Sequence, residues 1–209
     1  MPTSRRLRTL LLLCTAPLLS ACTTQPAPAP ARAGRERAAE AAPAAAPKAP
    51  APATARPAGN QPVLMLSSNQ GRPGEAVNVT ATLTTAGASI AGTQNDIGFD
   101  PTQISVAAKA NGKPDCTPNR ELGKEGTAFS FLPPRCQKQT CSGVRALVLS
   151  LSNVAPIANN SILYTCKVAI APQATAGSHQ LSVSNAGFSN PTGQSIVGSS
   201  VGGTISVGK

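Results

Sequence analysis

Tryptophan is absent from this 209-residue chain, and its aromatic side chains amount to four Phe and one Tyr. An exposed platform of rings for stacking on sugars therefore has very little to be built from. One histidine, His179, excludes every site that needs two imidazoles, H-E-x-x-H zinc hydrolases among them. Charged residues are 12% of the chain, about half the share of an average soluble domain. The apolar run Leu10–Leu19 falls short of the ~20 residues that a membrane-spanning helix requires. Proline and glycine are abundant instead, with 20 and 18 residues, which favours turns and extended segments over long helices.

The net charge of +10 is divided among three unlike regions. Three arginines and no acids stand in residues 1–21, five bases against two acids in 22–61, and ten against six in 62–209. Nucleic-acid modules cluster their basic residues on one face, commonly with aromatics for single strands. A surplus spread this way reads as a solvated surface, and no nucleic-acid partner is expected.

The N-terminus is an export signal. Arg5, Arg6 and Arg8 precede the short apolar run, as in a secretory signal peptide. Leu19-Ser20-Ala21-Cys22 resembles the bacterial lipobox. The resemblance implies a signal peptide over 1–21, cleavage before Cys22, a diacylglycerol on its thiol and acylation of the new amino terminus. Two or more chains anchor stably where one gives only marginal binding. Thr23 stands where an Asp commonly marks inner-membrane retention, so the resemblance points to the outer membrane and the cell surface. Residues 23–61 hold sixteen Ala and eight Pro in 39 positions. Proline removes a backbone donor and fixes φ, so residues 22–61 are expected to form a disordered tether. Its reach when extended at ~3.1 Å per residue is on the order of 120 Å.

From Pro62 the composition turns to Val, Ile, Leu, Thr and Ser in short runs divided by turn residues. Ala76–Leu83 alternates, with Val77, Val79, Ala81 and Leu83 on one face and Asn78, Thr80 and Thr82 on the other. That is the period of a half-buried strand. Comparable segments are Val63–Leu66, Asn95–Phe99, Ile104–Ala107, Ala128–Leu132, Val144–Leu151, Ile162–Ile170, His179–Val183 and Gly203–Val207. About nine strands and no helix predict an all-β sandwich or barrel over 62–209.

Four motifs in this region carry a family resemblance. Gly71-Arg-Pro-Gly-Glu-Ala-Val-Asn-Val79 looks like the G-x-P-G-[DE]-x-V-x-V opening of cohesin domains. Asp96-Ile-Gly-Phe-Asp-Pro-Thr-Gln-Ile-Ser-Val106, Ser161–Ile170 and Gly203–Val207 resemble three later cohesin strands, in the family's order. The resemblance implies a nine-stranded jelly-roll sandwich related to cellulose-binding modules. It also implies a dockerin-like protein partner in a polysaccharide-degrading context. Residues 109–141 depart from the family as a polar, cysteine-bearing insertion with six basic and three acidic side chains. No D-x-[DN]-x-[DN]-G loop occurs, so the chain is not itself a dockerin.

With Cys14 lost in the signal and Cys22 acylated, Cys116, Cys136, Cys141 and Cys166 remain. An even number in an exported domain reads as two disulfides, for which three connectivities exist. A zinc site of four thiolates is the alternative, disfavoured by export. In Ile162–Ile170, alternation groups Ile162, Tyr164, Cys166, Val168 and Ile170 on one face and Thr165 and Lys167 on the other. Cys166 thus points inward, whereas Cys136 and Cys141 flank the polar Gln137–Thr140 like the ends of a surface hairpin. The favoured pairing is Cys136–Cys141 with Cys116–Cys166.

Enzyme-like signals do not assemble into a site. Gly198-Ser-Ser-Val-Gly202 matches G-x-S-x-G, but only seven residues follow it, too few for the helix and downstream histidine of a nucleophile elbow. His179 lies at a turn-to-strand boundary, and Asp100 before Pro101 reads as a turn residue, as Asp115 reads as part of the insertion. No catalytic residue, metal or cofactor is expected. By parity Phe99 and Tyr164 face the core, and core packing is also the better reading for Phe129 and Phe131.

Protein–protein adhesion is the expected function, with carbohydrate binding or a purely structural envelope role as alternatives. In the resemblance, one sheet holds both the Gly92–Phe99 and Ile162–Ile170 strands and turns its outer face to the partner. Parity places Gln94, Asp96, Thr165 and Lys167 on that face as exposed side chains. Alanine at Asp96 and Lys167 should then change stability by no more than about 0.5 kcal/mol.

Overall fold

The computed structural model describes residues 60–209. The expected signal peptide, Cys22 and nearly all of the tether lie outside the described residues.

Thirteen strands make up the described chain. They are β1 (Val63–Leu66), β2 (Asn69–Gly71), β3 (Ala76–Thr84), β4 (Gly92–Gly98) and β5 (Ile104–Val106). There follow β6 (Cys116–Pro118), β7 (Ala128–Leu132), β8 (Gly143–Val148) and β9 (Ser161–Ile170). The last are β10 (Gly177–Ser189), β11 (Ser195–Ile196), β12 (Ser199–Val201) and β13 (Gly203–Val207). Two single 3-10 turns, Arg120–Leu122 and Lys138–Thr140, are the only helical pieces among the described residues. All nine expected segments coincide with strands. The additional ones are short, two or three residues each.

Two sheets face each other. The first runs β12-β1-β3-β9-β5, with β6 also on β9; the second runs β2-β13-β10-β4-β8-β7, with β11 on β10. Chain ends account for two of the four additional strands, β2 and β12. The N-terminal run leaves the first sheet after β1 and enters the second as β2; the C-terminal run does the same between β12 and β13. The two runs lie parallel in both sheets, β1 on β12 and β2 on β13. Gly202 and Gly203 make the second crossing possible, since a Cβ on either would collide with a carbonyl, that of Leu181 or of Ser67.

Alternation supplies the core between the sheets. Val79, Ala81 and Leu83 of β3 meet Ile97 of β4, Val144, Ala146 and Val148 of β8, and Tyr164, Cys166 and Val168 of β9, all buried. Parity fails at one end of β9. A bulge against β3 between Ala81 and Thr82 places Leu163 in the core and leaves Ile162 45% exposed, opposite to the predicted facing. β8 also ends earlier than expected, so Leu151 stands outside the sheet, 93% exposed.

The region 109–141 is built into the sandwich. It supplies β6 at the edge of the first sheet and β7 at the edge of the second. Both expected disulfides are present. Cys116 and Cys166 lie directly opposite each other in the β6–β9 register, buried, with Cα atoms 4.0 Å apart. Cys136–Cys141 closes the turn between β7 and β8.

Candidate functional site

The four predicted contact residues do not share a face. Gln94 and Asp96 belong to β4 in the second sheet, while Thr165 and Lys167 belong to β9 in the first. The inward sides of these strands touch across the core, where the Tyr164 hydroxyl donates to Asn95 Oδ1 at 2.9 Å. Their outward sides therefore point in opposite directions. Thr165 and Lys167 do face outward as predicted, Lys167 exposed beside Asn78 and Thr165 in a row with Thr80 and Thr117.

On the second sheet, register arranges the outer face in rows across β7, β8, β4 and β10. The central row is Ser130, Arg145, Asp96, Ser184. One neighbouring row is Ala128, Leu147, Gln94, Gly187; the other is Leu132, Gly143, Gly98, Ser182. Three glycines, three serines and an alanine among these positions leave a face of low relief. Gly98 and Gly143 sit opposite each other because a Cβ would press on Ser182 Oγ at 2.6 Å or Ile97 O at 2.8 Å. A shallow depression of about 280 Å³ opens over Gly92, Gln94, Leu147 and Gly187.

Asp96 departs from its predicted exposure. Arg145 donates Nε–H to Oδ1 and Nη2–H to Oδ2, each at 2.7 Å, and Asn185 donates its amide to Oδ2, also at 2.7 Å. The Asp96 side chain is left 8% exposed and that of Arg145 44%. Hydrogen bonding from Arg145 is the chief cause that holds the Asp96 carboxyl below the ordinary carboxylate range, against the opposing effect of burial. The same pairing raises the arginine. Asn185 reaches Asp96 from a bulge in β10, with φ at 50°, a conformation that Asn tolerates better than most residues.

Arg145 and Asn185 were not singled out from the sequence. Alternation in Gly143–Val148 does place Arg145 outward, but only the β4–β8 register shows that it meets Asp96. Asn185 carries no signal beyond a residue type favoured in bulges and turns.

A wider cleft, about 750 Å³, lies elsewhere. It opens between the free edge of β5 and the Cys136–Cys141 turn, walled by Phe99, Phe131 and Ile170. Lys109 at its rim is already bonded to the Cys116 carbonyl at 2.8 Å. All five aromatic rings are wholly or largely turned inward, Phe129 edge-on to Tyr164 at 5.2 Å. Among the described residues, no three or more His, Cys, Asp or Glu side chains gather as metal ligands would.

No protein-family model and no curated protein matches the chain. Solved structures do. The cohesin CaCohA2 of Clostridium acetobutylicum, in complex with a dockerin, superposes with a TM-score of 0.59 at 19% identity, over 71% of this chain and 100% of that one. The chain has a cohesin fold. A cohesin from scaffoldin B of Acetivibrio cellulolyticus, in complex with the Cel5 dockerin, gives a TM-score of 0.54 at 16% identity, covering 71% of this chain and 99% of that one. A non-cellulosomal cohesin from the archaeon Archaeoglobus fulgidus gives 0.53 at 11% identity, covering 71% and 92%. A fold can persist at identities so low because core packing needs the pattern of apolar positions more than the particular residues.

Proposed function

We propose that this chain is a non-enzymatic binding module that captures a dockerin-like protein through the outer face of β7, β8, β4 and β10. A lipid on Cys22 holds it at the outer membrane, and the Ala/Pro-rich segment presents the folded module at the cell surface. The observation that carries the reading is the face itself. Its rows of Gly, Ser and Ala let a partner's backbone approach closely, while one ion pair and two leucines supply contacts. Such a mixture of small polar and apolar groups suits another protein. A sugar would find no exposed ring to stack on.

The test is capture of dockerin-bearing proteins from the same organism by the full-length chain, compared with Gly187→Gln. A Cβ at Gly187 meets nothing within 4 Å, so this substitution covers the face without disturbing the core. Capture by the wild type that is lost in the variant is the expected result. Absence of capture, or equal capture by both, would refute the assignment; retention on insoluble polysaccharide would replace it with carbohydrate binding.

A further inference from the structure

We infer that the partner is gripped by Arg145 and brings a carboxylate to it, with Asp96 and Asn185 acting only to position the arginine. The inference rests on the binding-face reading above and adds the chemistry of the partner.

Asp96 is spent. Its Oδ1 accepts from Arg145 Nε and its Oδ2 from both Arg145 Nη2 and Asn185 Nδ2, and its side chain is 8% exposed. A partner has almost no access to either oxygen. Arg145 is in the opposite condition, with 44% of its side chain exposed. A guanidinium holds five N–H donors in one plane. The side-on pairing with Asp96 engages Nε–H and one Nη2–H, and Asp96 is the acceptor found for Arg145 among the described residues. Three donors remain on Nη1 and Nη2. Two of them lie parallel along the outer edge of the fork, the arrangement that meets both oxygens of a carboxylate.

The surroundings leave that edge open. Ser130 is the neighbour of Arg145 on β7, and Gly143 and Leu147 flank it on β8. None of these carries a competing carboxylate. Because Asp96 fixes the guanidinium plane in the free protein, little side-chain freedom is lost when a ligand arrives. Charge favours the same ligand at longer range: residues 62–209 carry ten basic and six acidic side chains. A nucleic acid or another polyphosphate would require several clustered cations, and Arg145 is alone in the three rows of the face.

Panning the full-length chain against a phage-displayed library of randomised helical peptides tests this. The pool retained by the wild type should be enriched in Asp and Glu and should lose capture on Gly187→Gln, whose long neutral side chain covers the face without adding a cation. On Arg145→Gln it should weaken about tenfold or more, the equivalent of about 1.4 kcal/mol. Arg145→Lys should restore only part of the capture, because an ammonium is a point donor without the fork. Arg145→Gln leaves Asp96 without its cation, so Asp96→Asn/Arg145→Gln, which is neutral at both positions, serves if the single variant fails to fold. A pool blocked by Gly187→Gln yet indifferent to Arg145→Gln, with no acidic enrichment, would overturn the inference and leave the binding face intact. A pool indifferent to Gly187→Gln, or no pool at all, would remove the binding face and the inference together.

Discussion

Asp96 remains charged on a nearly buried side chain because three donors converge on its two oxygens. Its carboxyl titrates below the ordinary value of 3.8, first through the hydrogen bonds from Arg145. Between the two values the unfolded chain binds more protons than the folded one. Stability from this group is therefore present above about pH 4 and is lost as the pH falls through the folded value. Asp96→Asn should flatten part of that acid dependence in denaturant titrations at a series of pH values. The slope left over belongs to groups such as Asp100 and Glu125, whose carboxyls are lowered by hydrogen bonds from Thr102 and Ser150. At neutral pH, Asp96→Ala should cost about 1–2 kcal/mol, a figure discounted for the half-exposed arginine. A cost below about 0.5 kcal/mol would place Asp96 among ordinary surface residues, as its parity alone suggested.

At the scale of elements, the two disulfides differ in what they restrain. Cys116–Cys166 ties β6 to β9 across 50 residues, and Cys136–Cys141 spans 5. Loop-closure entropy for those separations corresponds to about 4 and about 2 kcal/mol. Removing Cys116 and Cys166 together should thus lower the denaturant midpoint more than removing Cys136 and Cys141, and the loss of buried packing adds to the difference. Equal losses would mean that the shorter bridge matters for the native turn itself. Lys124 performs a related task without a covalent bond. Its buried ammonium donates to the carbonyls of Asn153 and Ala155, each at 2.8 Å, and burial lowers its pKa. The segment after β8 is held in place by that contact while Leu151 remains in water.

At the scale of the whole molecule, the proposed lipid anchor and the folded module can be tested apart. Strand β1 begins at Val63, and the proposed lipid site at Cys22 stands 41 positions earlier, beyond a segment with sixteen alanines and eight prolines. Cys22→Ser should abolish acylation and release the protein into the soluble fraction without altering the melting of the module. Fractionation and mass spectrometry of the N-terminal peptide check this. A variant that stays with the membrane and is still cut before residue 22 would defeat the lipid assignment.

What could be read from the sequence was what depends on neighbours along the chain. Period-2 alternation located all nine principal strands, and it turned Cys166 inward and Lys167 outward. Turn residues and the spacing of Cys136 and Cys141 located the closed turn between β7 and β8. Alternation is imposed locally by the pleat, so it survives without knowledge of partners. Partners themselves came only with the tertiary structure. It sent β4 and β9 to different sheets, bulged β9 so that Leu163 replaced Ile162 in the core, and set Arg145 opposite Asp96. Each of these depends on the register between strands distant in sequence, which is chosen by the burial of the whole core and not by any one strand.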